Sequence, residues 1–399
     1  MTVDGPIRYT PSLPGQPVPE WGKISNGRPV FQAELPDGRI AWLVSGYENV
    51  RQMLIDARFS RALAVAPGQD TQGFEMFAAE SINGMDPPEH TRLRKLVASA
   101  FTARRVEALR PRVATIVADL IDALVERPQP ADLVSSFSLP LPAQVICEML
   151  GVPAADTAQF HAWSDVVLGD WQRDSDEIMT AVIELFGYFG TLIEIKRNQP
   201  ADDLMSALIA ARDATDRLSE HELTVMCCTL LIAGHETTAN QINLSLLLLF
   251  EHPDQVARLR ADPALIPAAV EELLRFSRLG GLAPPRMTTE DVAIGGVTIP
   301  AGEWVMPLFT SANRDPSVFS EPTRFDITRE PALGHLTFGA GAHHCLGAQL
   351  ARMELQEAFR GLIGRLPGLR LAVPTSELQF KPGMAIHSLR ALPVRWDEP

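Results

Sequence analysis

Apolar residues recur at every third or fourth position over most of the chain, whereas alternation is confined to a few short stretches. The first spacing is typical of helices that bury one face, and the second of strands. Because helical spacing dominates, the pattern predicts a mainly α protein with a minor β-sheet region. The predicted helices include 46–57, 113–125, 142–150 and 176–196, and the predicted strand pairs are 29–35 with 39–44, 291–294 with 297–299, and one within 378–392.

Proline and glycine mark the places where this pattern fails. The first 28 residues or so are rich in both and predict an irregular N-terminal arm. Residues 61–85 lose their periodicity and predict a long loop, of the kind that often acts as a lid. No linker-like or repetitive segment divides the chain, so we expect a single domain over residues 1–399.

The longest predicted helix begins after Ser219, which is placed to form a capping box with Glu222, and ends where Pro253 follows His252. A helix of roughly 33 residues is about 50 Å long at 1.5 Å per residue. Its last turns, LSLLLLF, are apolar on every side, which indicates a buried helix.

A polar run, AGHETT at residues 233–238, lies in the middle of that helix. Glycine and paired threonines weaken a helix, and a buried glutamate is costly unless it is paired or hydrogen-bonded. The run therefore predicts a site, with Glu236 and Thr237 as its chemical groups.

A glycine-rich stretch near the C-terminus, FGAGAHHCLG at residues 338–347, contains Cys345. Its glycines let a flat, bulky group approach the backbone closely. The following residues favour a helix, so the sulfur lies at a helix N-terminus, where N–H groups and the helix dipole favour a thiolate. Such a thiolate is suited to bind iron.

Two other interpretations of Cys345 are open at this point. A lone cysteine in a large chain is usually a small buried apolar residue. The second is a zinc ligand, because His335, His343 and His344 are near in sequence. Zinc needs about four ligands, however, and no second ligand pair accompanies these residues.

Two further charge patterns have both a bland and a functional interpretation. DPPEHTRLR at residues 86–94 predicts a helix on which His90 and Arg94 share a face, suited to two acidic groups of one ligand. A solvated basic face is the alternative. Glu272 and Arg275, three residues apart on another helix, usually make a surface ion pair of little energetic value.

Composition narrows the class of protein. The 35 basic and 49 acidic side chains give a formal net charge of −14, which disfavours a general nucleic-acid-binding role. There is no apolar signal core and no uninterrupted apolar run of about 20 residues, so we expect a cytoplasmic protein without a membrane span. Four cysteines do not suggest a disulfide framework.

In this order, the motifs at 233–237 (AGHET), 272–275 (ExxR) and 338–347 (FGxGxHxCxG) resemble those of the cytochrome P-450 family. The resemblance covers nearly the whole chain. It implies the cytochrome P-450 fold, a helical prism with a minor sheet region. Haem b would lie between the long central helix and the helix after the cysteine loop.

The resemblance also implies roles for individual residues. Cys345 would ligate the haem iron, and Glu236 and Thr237 would serve oxygen activation by relaying protons and hydrogen bonding. The haem propionates would be bound by His90, Arg94, Arg286 and His343. A buried structural trio would consist of Glu272, Arg275 and Arg324.

The implied activity is that of a monooxygenase that hydroxylates or epoxidises a bulky apolar substrate with dioxygen. The chain is similar to actinobacterial members that tailor secondary metabolites, which favours a macrolide or polyketide-type substrate over terpenes, steroids or xenobiotics. Electrons from NAD(P)H would arrive through ferredoxin reductase and ferredoxin. Ferredoxin would dock on the cysteine side, at a surface that is otherwise a generic basic one, formed by Arg92, Arg104, Arg105, Arg110 and Arg352.

We expect the substrate pocket to be lined from 61–85, 165–195, 226–237, 279–284 and 384–387, with contacts from Leu230, Ala233, Leu282, Ala283 and Ile386. A peroxide-driven peroxygenase is the nearest alternative, and the presence of Glu236 and Thr237 favours dioxygen over it. A non-catalytic partner protein on the same fold has little need of Cys345. A zinc-stabilised binding module would be colourless.

Overall fold

Helices form most of the structure, a computed structural model that describes residues 6–9, 21–25, 27–66, 79–167, 175–215, 218–280, 284–330, 334–381 and 386–397. The helices are α1 (Trp21–Ile24), α2 (Tyr47–Ile55), α3 (Arg61–Ala64), α4 (Glu89–Ala98), α5 (Ala103–Val125), α6 (Pro140–Leu150), α7 (Thr157–Val167), α8 (Ser175–Asn198), α9 (Leu204–Thr215), α10 (Glu220–Phe250), α11 (Pro253–Ala261), α12 (Ile266–Phe276), α13 (Phe309–Ala312) and α14 (Ala348–Arg365). The strands are β1 (Ile7–Arg8), β2 (Val30–Glu34), β3 (Ile40–Val44), β4 (Phe59–Ser60), β5 (Ala131–Asp132), β6 (Arg286–Thr288), β7 (Val292–Ile294), β8 (Val297–Ile299), β9 (Trp304–Pro307), β10 (Arg370–Leu371) and β11 (Pro393–Arg395).

The strands form small sheets beside the helices. One sheet has the order β1-β2-β3-β9-β6-β4, a second has the order β10-β11-β5, and β7 pairs with β8. Two predicted strand pairs are confirmed, because Val30 lies opposite Val44 in β2 and β3, and Val292 lies opposite Ile299 in β7 and β8. A mainly α fold with a minor sheet region is therefore confirmed.

The strand pair predicted within residues 378–392 is wrong. In the described part of this segment, Phe380 and Leu389 form an isolated bridge. The backbone N–H of His387 donates to the carbonyl of Leu279 at 2.7 Å instead of extending a ladder. The strand that follows, β11, pairs with β10 and β5. The predicted tip of the hairpin lies mainly outside the described residues.

Two regions expected to be irregular contain regular elements. In the N-terminal arm, β1 pairs in parallel with β2, and α1 is helical. The predicted loop at 61–85 begins with α3, because the Ser60 hydroxyl accepts a hydrogen bond from the Leu63 N–H and caps the helix. Residues 67–78 of that loop lie outside the described residues.

The long helix α10 confirms its prediction at both ends. The Ser219 hydroxyl accepts from the Glu222 N–H at 3.1 Å, and the Glu222 carboxylate accepts from the Ser219 N–H at 2.7 Å, which completes the capping box. Pro253 begins the next helix, α11. Most of α10 is buried in the main hydrophobic core, which it shares with helices α4 to α9 and α11, α12 and α14.

Among the described residues, one helix is long and apolar enough to cross a membrane, by length and composition only: Asp176–Asn198 within α8. We did not anticipate this stretch from uninterrupted apolar runs, since charged and polar residues interrupt it. Leu185 and Phe189 of this helix lie in the main core, where a core helix of a globular protein meets the same criteria.

Candidate functional site

The cysteine loop is held close to α2 by its glycines. The Cys345 N–H donates to the Phe338 carbonyl at 2.8 Å, which closes the loop before α14 begins. Gly341 has a φ of 71°, and a Cβ there would lie 2.7 Å from the carbonyl oxygen of Leu54 at the end of α2. Only glycine fits this position without a shift of backbone, so the sequence of the loop fixes its approach to α2.

The thiol of Cys345 is placed in opposing electrostatic influences. Burial raises its pKa above the ordinary value, whereas the Gly347 N–H and the charges of Arg94 and Arg352 lower it. Burial is the largest of these effects. A thiolate at this position is therefore best stabilised by a cation that takes the place of the proton, as a metal ion does.

The donors of a typical zinc site are not assembled around Cys345. Among the described residues, no group of three or more His, Cys, Asp and Glu side chains is arranged to hold a metal ion. His335, one of the nearby histidines, lies 3.2 Å from the carboxylate of Glu271 instead. A single thiolate suits an iron porphyrin, which brings its own nitrogen ligands.

Basic side chains gather beside the cysteine loop. The rings of His90 and His343 lie 4.4 Å apart between centroids. The pKa of His343 is lowered to about 3, first by burial and then by the charges of His90, Arg286, Arg61 and Arg94. His90 is buried, and its Nδ1 has no hydrogen-bond partner among the described residues. This excess of basic groups, with a buried donor to spare, fits an anionic ligand such as the two propionates of haem.

Two of these arginines connect the cluster to neighbouring elements. Arg286, in β6, is buried, and its Nη1 donates to the carbonyls of Met53 at 3.2 Å and Leu54 at 3.1 Å. Burial lowers its pKa to about 10. Arg94, in α4, donates to the carbonyl of His344 and so joins α4 to the cysteine loop. The structure thus brings the four predicted propionate-binding residues together.

Sequence reasoning missed Arg61, the fifth basic residue of the cluster. Its Nε donates to the carbonyl of Asn83 at 2.9 Å, and its Nη1 donates to the carbonyl of Pro285. The side chain is buried, although it lies at the start of a short helix in a region predicted to be a loop. A lone arginine without a spacing motif gives no local signal of burial.

The buried run of α10 is interrupted on one face. Between Val225 and Leu247, Ala233, Gly234 and Thr237 are the residues that are not buried. Positions 233 and 237 are one turn apart, so they open to the same side. The Thr237 hydroxyl donates to the Ala233 carbonyl at 2.6 Å, which leaves its oxygen able to accept a hydrogen bond from that side.

Glu236 lies next to this opening but is itself fully buried. The Asn240 amide donates to the Glu236 carboxylate at 3.2 Å and to the Glu236 main-chain carbonyl at 2.8 Å. Asn240 was not predicted, although its spacing of four residues from Glu236 is a usable signal. The structure therefore places a held carboxylate beside an exposed hydroxyl.

The structural trio is corrected in one member. Glu272 and Arg275 are buried and bonded at 2.7 and 2.8 Å, as expected for a structural pair. The Arg324 side chain is 60% exposed and pairs with Glu321 and Asp326 instead. The third member is Arg329, whose Nε lies 3.1 Å from both carboxylate oxygens of Glu272. The chain turns here because the Asp326 N–H also donates to Glu272, which carries Arg329 inward.

Three of the five arginines expected at a docking surface are engaged in ion pairs. Arg92 pairs with Glu222, Arg110 with Glu107 and Glu357, and Arg352 with Glu271. Arg104 and Arg105 are exposed on α5.

Of the predicted substrate contacts, Leu230 is buried and Ala233 is exposed on α10. Ile386 forms an isolated bridge with Gly280, which joins two of the segments expected to line the pocket. Leu282 and Ala283 lie outside the described residues, as does Trp171. An open cavity of about 840 Å³ lies at the C-terminal end of α10, between Leu247 and Thr375, and none of the motif residues lines it.

Comparison with known proteins is consistent with this site. The family model described as Cytochrome P450 matches residues 143–365. The chain is 47% identical to nocardicin C N-oxygenase of Nocardia uniformis subsp. tsuyamanensis, over 95% of both chains, and 46% identical to mycinamicin IV hydroxylase/epoxidase of Micromonospora griseorubida, over 94% of both. Among solved structures, the mixed-function P450 MycG superposes with a TM-score of 0.89 at 43% identity, covering 98% of this chain and 100% of that one.

Proposed function

The chain belongs to the cytochrome P450 family and is a haem-thiolate monooxygenase, and we propose that it oxidises a bulky, apolar macrolide or other polyketide-type natural product. One atom of dioxygen would enter the substrate, by hydroxylation or epoxidation, and the other would leave as water. We further propose that it works in the cytoplasm with electrons from a ferredoxin and its NAD(P)H-dependent reductase.

The observation that carries the substrate proposal is the opening on α10. Ala233 and Gly234 have the smallest side chains, and they are exposed where the rest of the helix is buried, so this face leaves room for a large molecule. Mycinamicin IV hydroxylase/epoxidase, at 46% identity, acts on a large substrate by its name, and MycG was solved with mycinamicin IV. These relatives favour the polyketide class over smaller terpenes.

The residues around the cysteine loop fit haem b. Cys345 would hold the iron, and His90, Arg94, Arg286 and His343 would bind the propionates, with the charge of Arg61 adding to theirs. When bound, haem supplies the activation of dioxygen. Arg94 also donates to the His344 carbonyl, so one side chain would couple the propionate side to the loop that presents the sulfur.

Glu236 and Thr237 would handle protons. Glu236 is buried and held by Asn240, so its carboxylate can take up and release a proton without leaving its position. The Thr237 hydroxyl already donates to Ala233, so its oxygen is oriented to accept a hydrogen bond from the open side. The pair would thus pass protons from the interior of the protein to the side of the helix where the substrate is expected.

Electron delivery would use the face around the cysteine loop. The net charge of −14 repels an acidic ferredoxin in general, so docking needs a local basic surface. Arg104 and Arg105 are exposed and are the strongest candidates for that surface. Arg92, Arg110 and Arg352 would contribute only what their ion pairs leave of their charge.

Two spectroscopic experiments test this proposal. Reduced holoenzyme under carbon monoxide should show the red-shifted Soret band of thiolate ligation, and Cys345→Ser should lose it; a haem-loaded wild type without the band would disprove the assignment of Cys345. A panel of macrolides, other polyketides, terpenes and steroids should then be screened for the spin-state change that follows displacement of the iron's water ligand. Tight binding of only terpenes or steroids would overturn the substrate class, and turnover with peroxide but not with ferredoxin would overturn the electron route.

A further inference from the structure

Buried amide side chains continue along the face of α10 that carries Glu236. We propose that Asn240 and Asn243 form an internal water-binding site that positions the Glu236 carboxylate and resupplies it with protons. This inference rests on the relay role proposed for Glu236 and names the groups behind it.

The first observation is the contact between Asn240 and Glu236. The Asn240 Nδ2 donates to a Glu236 carboxylate oxygen at 3.2 Å and to the Glu236 main-chain carbonyl at 2.8 Å. Asn240 is buried as well. Two bonds from one amide group to one residue restrict the rotation of that residue, so Asn240 fixes where the carboxylate lies. A donor to the carboxylate also favours its ionised form.

The second observation is the state of Asn243. Only 1% of this residue is exposed, yet neither its Nδ2 nor its Oδ1 has a hydrogen-bond partner among the described residues. An amide buried without partners is costly, and native proteins usually satisfy such groups with an ordered internal water. A donor and an acceptor on one side chain are what a single water can bridge.

Helical geometry brings these groups into one line. Residues 236, 240 and 243 are spaced by four and three positions, so their side chains lie within about 60° of one another around the helix axis. Neighbouring side chains at these spacings have Cβ atoms about 5–6 Å apart, which one water can bridge. A water held by Asn243 is therefore placed to reach Asn240 and the carboxylate beyond it.

The chemistry of turnover requires such a supply. Inserting one oxygen atom and releasing the other as water consumes two protons and two electrons along with the dioxygen. Asparagine carries no proton itself, so the water would give a proton to the Glu236 carboxylate, which becomes neutral and then passes that proton towards Thr237. The carboxylate returns to its charged form, and the water is reprotonated by exchange with solvent.

Gln241 supplies a matched comparison on the same helix. It is also buried, but its Nε2 donates to the hydroxyls of Ser245 and Ser277 at 2.9 Å each. Its side chain points about 140° around the axis from that of Glu236. Replacing Gln241 thus tests what the loss of a buried amide from α10 does when the amide does not face the carboxylate.

The structural arm of the test is a crystal structure of the haem-loaded enzyme at high resolution. We expect at least one ordered water within about 3.2 Å of Asn243 Nδ2 or Oδ1. That water should disappear in Asn243→Leu, which should fold because an apolar side chain then fills an apolar site. A dry site, or Asn243 bonded directly to another side chain, would overturn the water site.

The functional arm compares Asn240→Leu, Asn240→Asp, Asn243→Leu and Gln241→Leu with Glu236→Gln. Loss of a general acid–base group typically costs a hundredfold or more, so we expect the two positioning sites to raise peroxide released per NAD(P)H by about tenfold, with a larger solvent isotope effect. In Asn240→Leu the acid limb of the pH profile should move up by about one pH unit, because the ionised carboxylate loses a donor. Asn240→Asp keeps the shape of Asn240 and should show the same uncoupling, which separates the lost donor from misfolding.

The outcomes separate the two proposals. If Glu236→Gln stays fully coupled, the relay role itself is wrong. If Glu236→Gln uncouples turnover while the Asn240 and Asn243 variants behave like Gln241→Leu, the relay stands and the present inference is refuted.

Discussion

The guanidinium of Arg329 meets the buried carboxylate of Glu272, with its Nε 3.1 Å from each carboxylate oxygen. Arg275 binds the same carboxylate from the next turn of α12. The remaining guanidinium nitrogens of Arg329 donate to carbonyls, including that of Arg324 at 2.7 Å. One carboxylate thus fixes α12 to the segment that leads towards the cysteine loop.

From this geometry we expect Arg329→Ala to destabilise the protein by about 2–3 kcal/mol, because a buried charge loses one partner but keeps the other. Thermal unfolding and haem retention measure the effect. Arg324→Ala is the matched control, since its exposed ion pairs are worth well under 1 kcal/mol. Equal losses in the two variants would contradict the assignment of Arg329 to the buried trio.

Glu354, on the helix that follows the cysteine loop, should make stability depend on pH. It is buried, its Oε2 has no partner among the described residues, and burial raises its pKa to about 8 from an ordinary value of 4.5. Between these values the unfolded chain releases a proton that the folded chain keeps. The free energy of unfolding should therefore fall as pH rises from about 4.5 to about 8, by on the order of 4 kcal/mol in total.

Glu354→Gln tests this dependence, because glutamine keeps the shape of the side chain and has no proton to lose. At pH 8 the variant should unfold at a higher temperature than the wild type, and near pH 4.5 the two should agree. Glu377→Gln, at an exposed carboxylate, is the control and should follow the wild type at both pH values. A wild type and Glu354→Gln that differ equally at both pH values would show that the carboxyl does not titrate in this range.

The features that could be predicted from the sequence are those with local signals. The long helix is written in its own capping residues, its apolar run and Pro253, and all of these act within a few residues of the helix. The cysteine loop is likewise a local motif whose glycines follow from backbone geometry. These signals need no knowledge of how distant segments pack.

Features that depend on tertiary packing could not be predicted in the same way. Arg324 and Arg329 lie on one loop, and only the turn at Asp326 decides which of them faces Glu272. Arg61 is buried because it bonds the distant carbonyl of Pro285, 224 residues away. His387 directs its N–H to Leu279 rather than to a strand partner, which prevented the predicted hairpin from forming a ladder.

The proposed docking surface predicts a charge-reversal phenotype. Arg104→Glu with Arg105→Glu should raise the KM for an acidic ferredoxin about tenfold and weaken its dependence on salt, since exposed charges steer association. The carbon monoxide spectrum should not change. Arg8→Glu, the same charge change on β1, is the control. A KM that ignores both arginines would place the ferredoxin elsewhere.

Gly341 gives the sharpest test of the cysteine loop. Gly341→Ala adds a Cβ that meets the Leu54 carbonyl at 2.7 Å, and it forces a φ of 71° on a residue that disfavours it. We expect a loss of about 1–3 kcal/mol in stability together with reduced haem content, because the loop must move away from α2. Gly364→Ala, in the exposed part of α14 with open space around its Cβ, should instead be neutral or stabilise the helix by up to about 1 kcal/mol. Full haem content and an unchanged thiolate spectrum in Gly341→Ala would mean that the approach of the loop to α2 does not determine the geometry of the sulfur.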